Sequence, residues 1–161
     1  MFQTSEVLLL EKRMNIRPAR AEDQAAITAM VRRAHLNPMD VRWSCFLVAE
    51  DERGIVGVGQ IRPHPGAPEL ASLAVREDRR GTGVGGQLIR TFLAQSQGTL
   101  VLFCRPQLES YYAQFGFRAI GVKEAPPSLR TRYAVVRFIT RLIVGRPILM
   151  MKNKVSGTPE V

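Results

Sequence analysis

Leu73-Ala74-Val75, Arg80-Gly81-Thr82-Gly83-Val84-Gly85 and Tyr112-Ala113-Gln114-Phe115-Gly116-Phe117 are three short strings within one continuous stretch. The first reads as the end of a short apolar strand. The second is a glycine-rich loop opening an amphipathic helix, because Val84, Leu88, Ile89, Phe92 and Leu93 recur at helical spacing and Gly98 ends the pattern. Leu100-Val101-Leu102-Phe103-Cys104 then forms a continuous apolar run, the mark of a strand covered on both faces. A short helix over 108–115 and a strand over 117–122 complete the unit.

Working outward, Ile16-Arg17 before Pro18 predicts a first strand, and the spacing of Ala26, Ile27, Met30, Val31 and Ala34 predicts a helix over 21–34. A second short helix is expected over 39–43. Phe46 to Ala49 and Ile55 to Ile61 flank a turn containing Gly54, which predicts a β-hairpin, and 69–75 supplies a third consecutive strand. After Pro126 and Pro127 comes a basic helix over 129–144, then a last strand over 148–151. The expected fold class is α+β, a mixed central sheet of about six to seven strands flanked by helices: antiparallel strands first, then a crossover helix between two parallel ones.

A chain of 161 residues with 45% hydrophobic and 23% charged residues is expected to form one domain with a self-sufficient core. The expected organisation is an N-terminal tail over 1–13, a domain over 14–152 and a polar, disordered tail over 153–161, with Met14 a candidate start. No apolar run approaches the roughly 18 residues of a membrane span, and Val7 to Leu10, flanked by Glu6 and Glu11, is too short for a signal peptide. Cys45 and Cys104 read as reduced, buried thiols of a cytoplasmic protein. The net charge is +9; four of the 23 basic residues are lysines (Lys12, Lys123, Lys152, Lys154), leaving 19 arginines. Such a surface attracts polyanions: nucleic acid, anionic lipid or the phosphates of a coenzyme. Arginine enrichment from a GC-rich genome is the reading without functional content.

Backbone amides at a helix N-terminus are unpaired and carry partial positive charge, so they suit a phosphate. Gly81, Gly83 and Gly85 allow close approach, and Arg79 and Arg80 add charge. A dinucleotide fingerprint, Gly81-x-Gly83-x-x-Gly86, is also satisfied, but that motif follows its strand directly and here Arg76 to Arg80 intervene. A nucleotide-triphosphate loop is excluded, because no Gly-Lys-Ser/Thr follows.

The spacing Arg80-x-x-Gly83-x-Gly85 and the downstream Tyr112 ahead of Gly116-Phe117 resemble the GNAT superfamily of acyl-CoA N-acyltransferases, over about 14–152. The resemblance implies acetyl-CoA as co-substrate, no metal, and a coenzyme site made by Leu73, Val75, Arg80, Gly81, Thr82, Gly83, Val84 and Gly85. In it the amide near Leu73 would hold the thioester oxygen, Val75 would pair with pantetheine like an added strand, and Tyr112 would stand at the position of the general acid. Tyr111, about 100° round the helix, reads as packing. Arg105 stands where many members carry asparagine.

Removing the acceptor's proton is the other half of such chemistry. A lysine amine at pH 7 lies about 3.4 units below its pKa, about 4.6 kcal/mol from neutrality, and an α-amine only about 1 unit. Glu69 lies six residues before Val75, on the same face if the strand is regular, and resembles the general base of some members; a carboxylate paired with an arginine is the competing reading. His64 and His35 are weaker candidates. Cys104 reads as packing, and the scattered histidines and cysteines exclude a metal site.

In this fold the acceptor site is bordered by 35–44 and 123–146. Within the last helix Leu129, Tyr133, Val136, Ile139 and Ile143 are expected to form one apolar face packed on the sheet, opposite solvated Arg130, Arg137 and Arg141; Trp43 is expected in the core or a cleft wall. The expected activity is acetyl transfer to a primary amine, with a peptide or amino-acid acceptor favoured and polyamines and aminoglycosides ranked last on charge. The alternative is a non-catalytic coenzyme-A-binding or polyanion-binding regulatory module on the same fold. No nucleic-acid motif is present, and a homodimer is left open.

Overall fold

Eleven regular elements follow the predicted order in the computed structural model, which describes residues 14–143, 145 and 147–153. They are β1 (Asn15–Pro18), α1 (Gln24–Arg33), β2 (Phe46–Asp51), β3 (Gly54–Arg62), β4 (Glu69–Val75), α2 (Val84–Gln95), β5 (Val101–Cys104), α3 (Glu109–Ala113), β6 (Phe117–Ile120), α4 (Pro127–Leu142) and β7 (Leu149–Asn153). The strands hydrogen-bond in the order β1-β2-β3-β4-β5-β7-β6, a seven-stranded mixed sheet. β1–β2, β2–β3, β5–β7 and β6–β7 are antiparallel, and β4–β5 is parallel. The expected tails over 1–13 and 153–161 lie outside the described residues apart from Asn153, which is the last residue of β7.

The chain divides into two compact units, one of residues 1–61 and 71–93, the other of 62–70 and 94–161. β4 contributes to both: Glu69 and Leu70 fall in the second, Ala71 to Val75 in the first.

In the first unit Ile27 and Val31 of α1 pack with Phe46, Val48, Val58 and Ala74, all buried. Asp23 starts α1, accepting a hydrogen bond from the Arg20 amide at 2.7 Å. Arg17 clamps it, donating to Asp23 Oδ2 at 2.8 Å and to Glu50 Oε2 at 2.8 Å. α2 lies against β3 because β3 carries Gly57 and Gly59 there. A Cβ on Gly57 would fall 2.6 Å from Val84 Cγ1, and one on Gly59 2.9 Å from the Phe92 ring. The expected helix over 39–43 does not form. The Asn37 side chain accepts from the Met39 amide at 3.0 Å in a local turn, and Asp40 takes a left-handed φ of 57°, which stops helix propagation. Trp43 is 39% exposed rather than in the core.

In the second unit Leu129 and Tyr133 of α4 are buried with Val101, Ile120 and Met150. The Tyr133 hydroxyl donates to the Ile120 carbonyl and accepts from the Met150 amide, each at 3.3 Å. β7 runs to Asn153, whose side chain accepts from the Leu100 amide at 2.7 Å. The apolar face expected on α4 holds only in its first half: Ile139 and Ile143 are exposed, as are Val135, Phe138 and Leu142.

Candidate active site

The candidate site residues fall into two sets, described separately, one in each unit. In the first, β4 leads through a 3-10 turn (Glu77–Arg79) into the glycine loop and α2. Gly81 (φ 76°) and Gly83 (φ 91°) both adopt left-handed backbone that side chains resist. The first α-helical hydrogen bond runs from the Gln87 amide to the Gly83 carbonyl at 3.0 Å. The amides of Val84, Gly85 and Gly86 therefore precede any intrahelical acceptor, at the positive end of a 12-residue helix.

The two loop arginines have separate duties. Arg79 pairs with Asp51, tying the loop to the β2–β3 hairpin. Arg80 is exposed, and its Nε makes only a 3.4 Å contact to the Val75 carbonyl, leaving its charge open to an anion. The Thr82 hydroxyl donates to the Arg79 carbonyl at 2.5 Å and closes the turn.

β4 is not a regular strand. Ser72 sits at φ 52°, and its hydroxyl accepts from buried Gln60 Nε2 at 2.9 Å. A left-handed residue turns its flanking peptides out of the ladder and breaks side-chain alternation. The same-face relation expected for Glu69 and Val75 therefore does not follow from their even spacing. The peptides redirected are those leading into Leu73.

In the second unit Glu69 is 4% exposed. His64 Nε2 lies 2.9 Å from its Oε2, Arg132 Nη1 3.5 Å from the same oxygen, and Arg62 Nη1 3.9 Å from Oε1. Both sequence readings of Glu69 thus meet in one place: a carboxylate paired with arginines, in contact with an imidazole. With His64 neutral, the group carries two cations to one anion. Arg132 also lies 6.0 Å from the Phe103 ring centroid, a cation–π contact that orients it. His35 ends α1 with φ 53° and lies in the other unit.

Tyr112, on α3, has its ring edge-on to Tyr111 at 5.2 Å and to Phe117 at 6.2 Å. Burial, then nearby Cys104 and Tyr111, push its phenol above the ordinary 10.0. Such a phenol stays protonated across the physiological range and is a hydrogen-bond donor there. No hydrogen bond to its hydroxyl occurs among the described residues. Tyr111 meets Phe115 edge-on at 5.4 Å. Burial also pushes the Cys104 thiol up to about 11, and it lies 3.6 Å from Met151 Sδ, so it is inert packing. Cys45 is half-buried and also free. Arg105 is exposed, its carbonyl accepting from the Leu108 amide at 2.9 Å. Among the described residues no group of three or more His, Cys, Asp or Glu could hold a metal ion, and no helix is long and apolar enough to cross a membrane.

Sequence reasoning reached the loop, Glu69 and Tyr112 but missed Ser72, Gln60, Arg62 and Arg132. Only the Gly57-x-Gly59 pair carried a sequence signal, since glycines inside a strand mark a close approach.

A family described as "Acetyltransferase (GNAT) domain" matches residues 42–119. A GNAT family acetyltransferase from Brucella melitensis, solved with acetyl-CoA, is 30% identical over 66% of this chain and 83% of its own, with a TM-score of 0.55. This chain belongs to the GNAT superfamily of acetyltransferases. The fold is also that of N-acetylglutamate synthase from Neisseria gonorrhoeae, complexed with coenzyme A and L-arginine (TM-score 0.70, 20% identity, covering 90% of this chain and 34% of that one). The chain thus spans about a third of that synthase's length. Rv2747 from Mycobacterium tuberculosis, in complex with CoA, matches over 88% of this chain and 99% of its own at 17% identity and a TM-score of 0.71. No curated protein matches.

Proposed function

We propose that the chain moves an acetyl group from acetyl-CoA to a primary amine by direct attack of the amine on the thioester, in a ternary complex. The observation that carries this reading is the start of α2: left-handed Gly81 and Gly83, the amides of Val84, Gly85 and Gly86 without helical acceptors, and Arg80 open to an anion. Unpaired amides, a helix N-terminus and an open guanidinium suit the coenzyme's pyrophosphate. Ahead of it, Val75 would pair with the pantetheine arm. The peptide turned out at Ser72–Leu73 would donate to the thioester oxygen, which gains charge as the amine attacks.

In the transfer a C–N bond forms, the C–S bond breaks and the leaving sulfur takes a proton. Tyr112, held protonated by its surroundings, is the donor in this reading. Glu69, with His64 in contact, takes the proton that the amine sheds. Two guanidiniums around one carboxylate leave excess positive charge beside that base, which favours an acceptor with its own carboxylate, an amino acid or an acidic peptide amine. The complex of the gonococcal synthase with coenzyme A and N-acetyl-glutamate, an acetylated amino acid, supports that class. A cytoplasmic site of action accompanies this reading.

The test is a melting experiment paired with a thiol-release assay. Millimolar acetyl-CoA should raise Tm by mass action, and Gly83→Val with Gly85→Val should abolish the rise. Free thiol should appear with amino acids or acidic peptides and scarcely with spermidine. No Tm shift would overturn the coenzyme site. A shift without thiol release from any amine would make the chain a coenzyme-binding regulatory module instead.

A further inference from the structure

α4 carries more apolar surface than its own unit covers. Leu129 and Tyr133 bury one face. A second face holds Val135 (50% exposed), Phe138 (66%), Ile139 (44%) and Leu142 (66%), with Ile143 (79%) at the helix end. At 100° per residue the first four fall within an arc of about 100°, so they form one patch rather than scattered exposures. Singly exposed leucines are common on protein surfaces, but four large apolar side chains on one helix face are not.

The charge beside the patch narrows what covers it. α4 holds Arg130, Arg132, Arg137 and Arg141 and no acidic residue from Pro127 to Leu142. Arg141, Arg130 and Arg137 are all exposed and lie about 110°, 130° and 150° round the helix from the patch centre, so Arg141 flanks the patch and Arg137 stands nearly opposite it. Long arginine stems reach back along a helix and leave their guanidiniums at the level of a headgroup. A second copy of this chain would bring the same cationic helix against itself, in a protein already at +9. Nucleic acid would satisfy the arginines and leave the apolar patch wet.

We infer that the C-terminal half of α4 docks on an anionic bilayer surface, with Val135, Phe138, Ile139 and Leu142 entering the acyl boundary and Arg141 pairing with a headgroup phosphate. An amphipathic helix with a basic flank lies in such an interface plane. No helix among the described residues is able to span. The inference is independent of acetyl transfer.

Vesicles of phosphatidylcholine, with and without phosphatidylglycerol, test it on the whole chain. The protein should sediment with the mixed vesicles and not with phosphatidylcholine alone. Phe138→Gln with Leu142→Gln, which leaves the charge unchanged, should weaken partitioning by more than about tenfold. Arg141→Gln should weaken it by about fivefold at low salt, the share of one arginine near the surface. These side chains are exposed, so the circular dichroism of each variant should match wild type. Insertion is read directly by Phe138→Trp placed in Trp43→Phe, whose emission should shift to the blue on mixed vesicles only. Unchanged partitioning in the apolar double variant would reduce the binding to diffuse charge and overturn the inference. No sedimentation, or no blue shift, would do the same. A dimer in wild type that dissociates in the apolar double variant, with vesicle binding unaffected, would assign the face to a second copy.

Discussion

As the proposed proton donor and proton acceptor, Tyr112 and Glu69 would make opposite demands on their surroundings. A proton donor has to stay protonated, and partial burial among Tyr111, Phe117 and Cys104 disfavours the phenolate. Glu69 has two guanidiniums within 3.9 Å. Tyr112→Phe should lower kcat at least tenfold with little change in coenzyme affinity, since only the donor is lost. Because the phenol lies above 10.0, the wild-type rate should show no loss from its ionisation up to pH 10. Glu69→Gln should also lower turnover, the group that takes the amine's proton in the proposed reaction being lost. Equal turnover in Tyr112→Phe would pass the acid's role to water, and equal turnover in Glu69→Gln would leave that carboxylate a purely structural one. Tyr112 was legible in the sequence through its place ahead of Gly116-Phe117. The cations around Glu69 were not, since Arg62 and Arg132 stand seven residues before and 63 after it.

At the scale of elements, the N-terminal end of α2, where the coenzyme is proposed to bind, depends on how that helix rests on β3. Gly57 faces Val84, the first residue of α2, so added volume there pushes on the turn that presents the loop amides. Gly57→Ala should cost about 1–3 kcal/mol of stability and shrink the Tm shift produced by acetyl-CoA. Gly98→Ala, where an added Cβ meets nothing within 4 Å, is the control. Denaturant melts with and without coenzyme distinguish the two; equal behaviour would mean that β3 absorbs the extra methyl without moving α2. The periodicity of Val84, Leu88 and Phe92 revealed the helix, while the close approach of backbone behind it rests on side-chain placement. α4 teaches the converse. Its pattern of apolar residues predicted a single packed face, but periodicity records only which residues share a side, and the neighbouring elements decide how far along the helix that side is covered.

Across the whole molecule, the largest effect of acid should come from the Arg17 cluster. The Arg17 guanidinium holds the carboxyls of Asp23 and Glu50 below their ordinary values of 3.8 and 4.5. Groups depressed in the folded state bind protons more readily when unfolded, so their stabilisation is complete above those ordinary values and fades as pH falls through the folded ones. Stability should therefore decline below about pH 4.5. Arg17→Met should cost on the order of 2 kcal/mol at pH 7, the cluster being partly open to solvent, and should flatten that decline. Urea melts between neutral pH and pH 3 check both, and an acid limb as steep in Arg17→Met as in wild type would shift the cause to other carboxylates. The order of strands and helices, the glycine loop and the helix bearing Tyr112 were set by the sequence alone, because periodicity, glycine and proline punctuation and motif spacing act over a few residues. The left-handed Ser72 in β4, the arginines around Glu69, the room made by Gly57 and Gly59 and the uncovered half of α4 were decided only by tertiary structure. Each depends on groups far apart in the chain meeting, or failing to meet, across packed elements, and no local pattern encodes that.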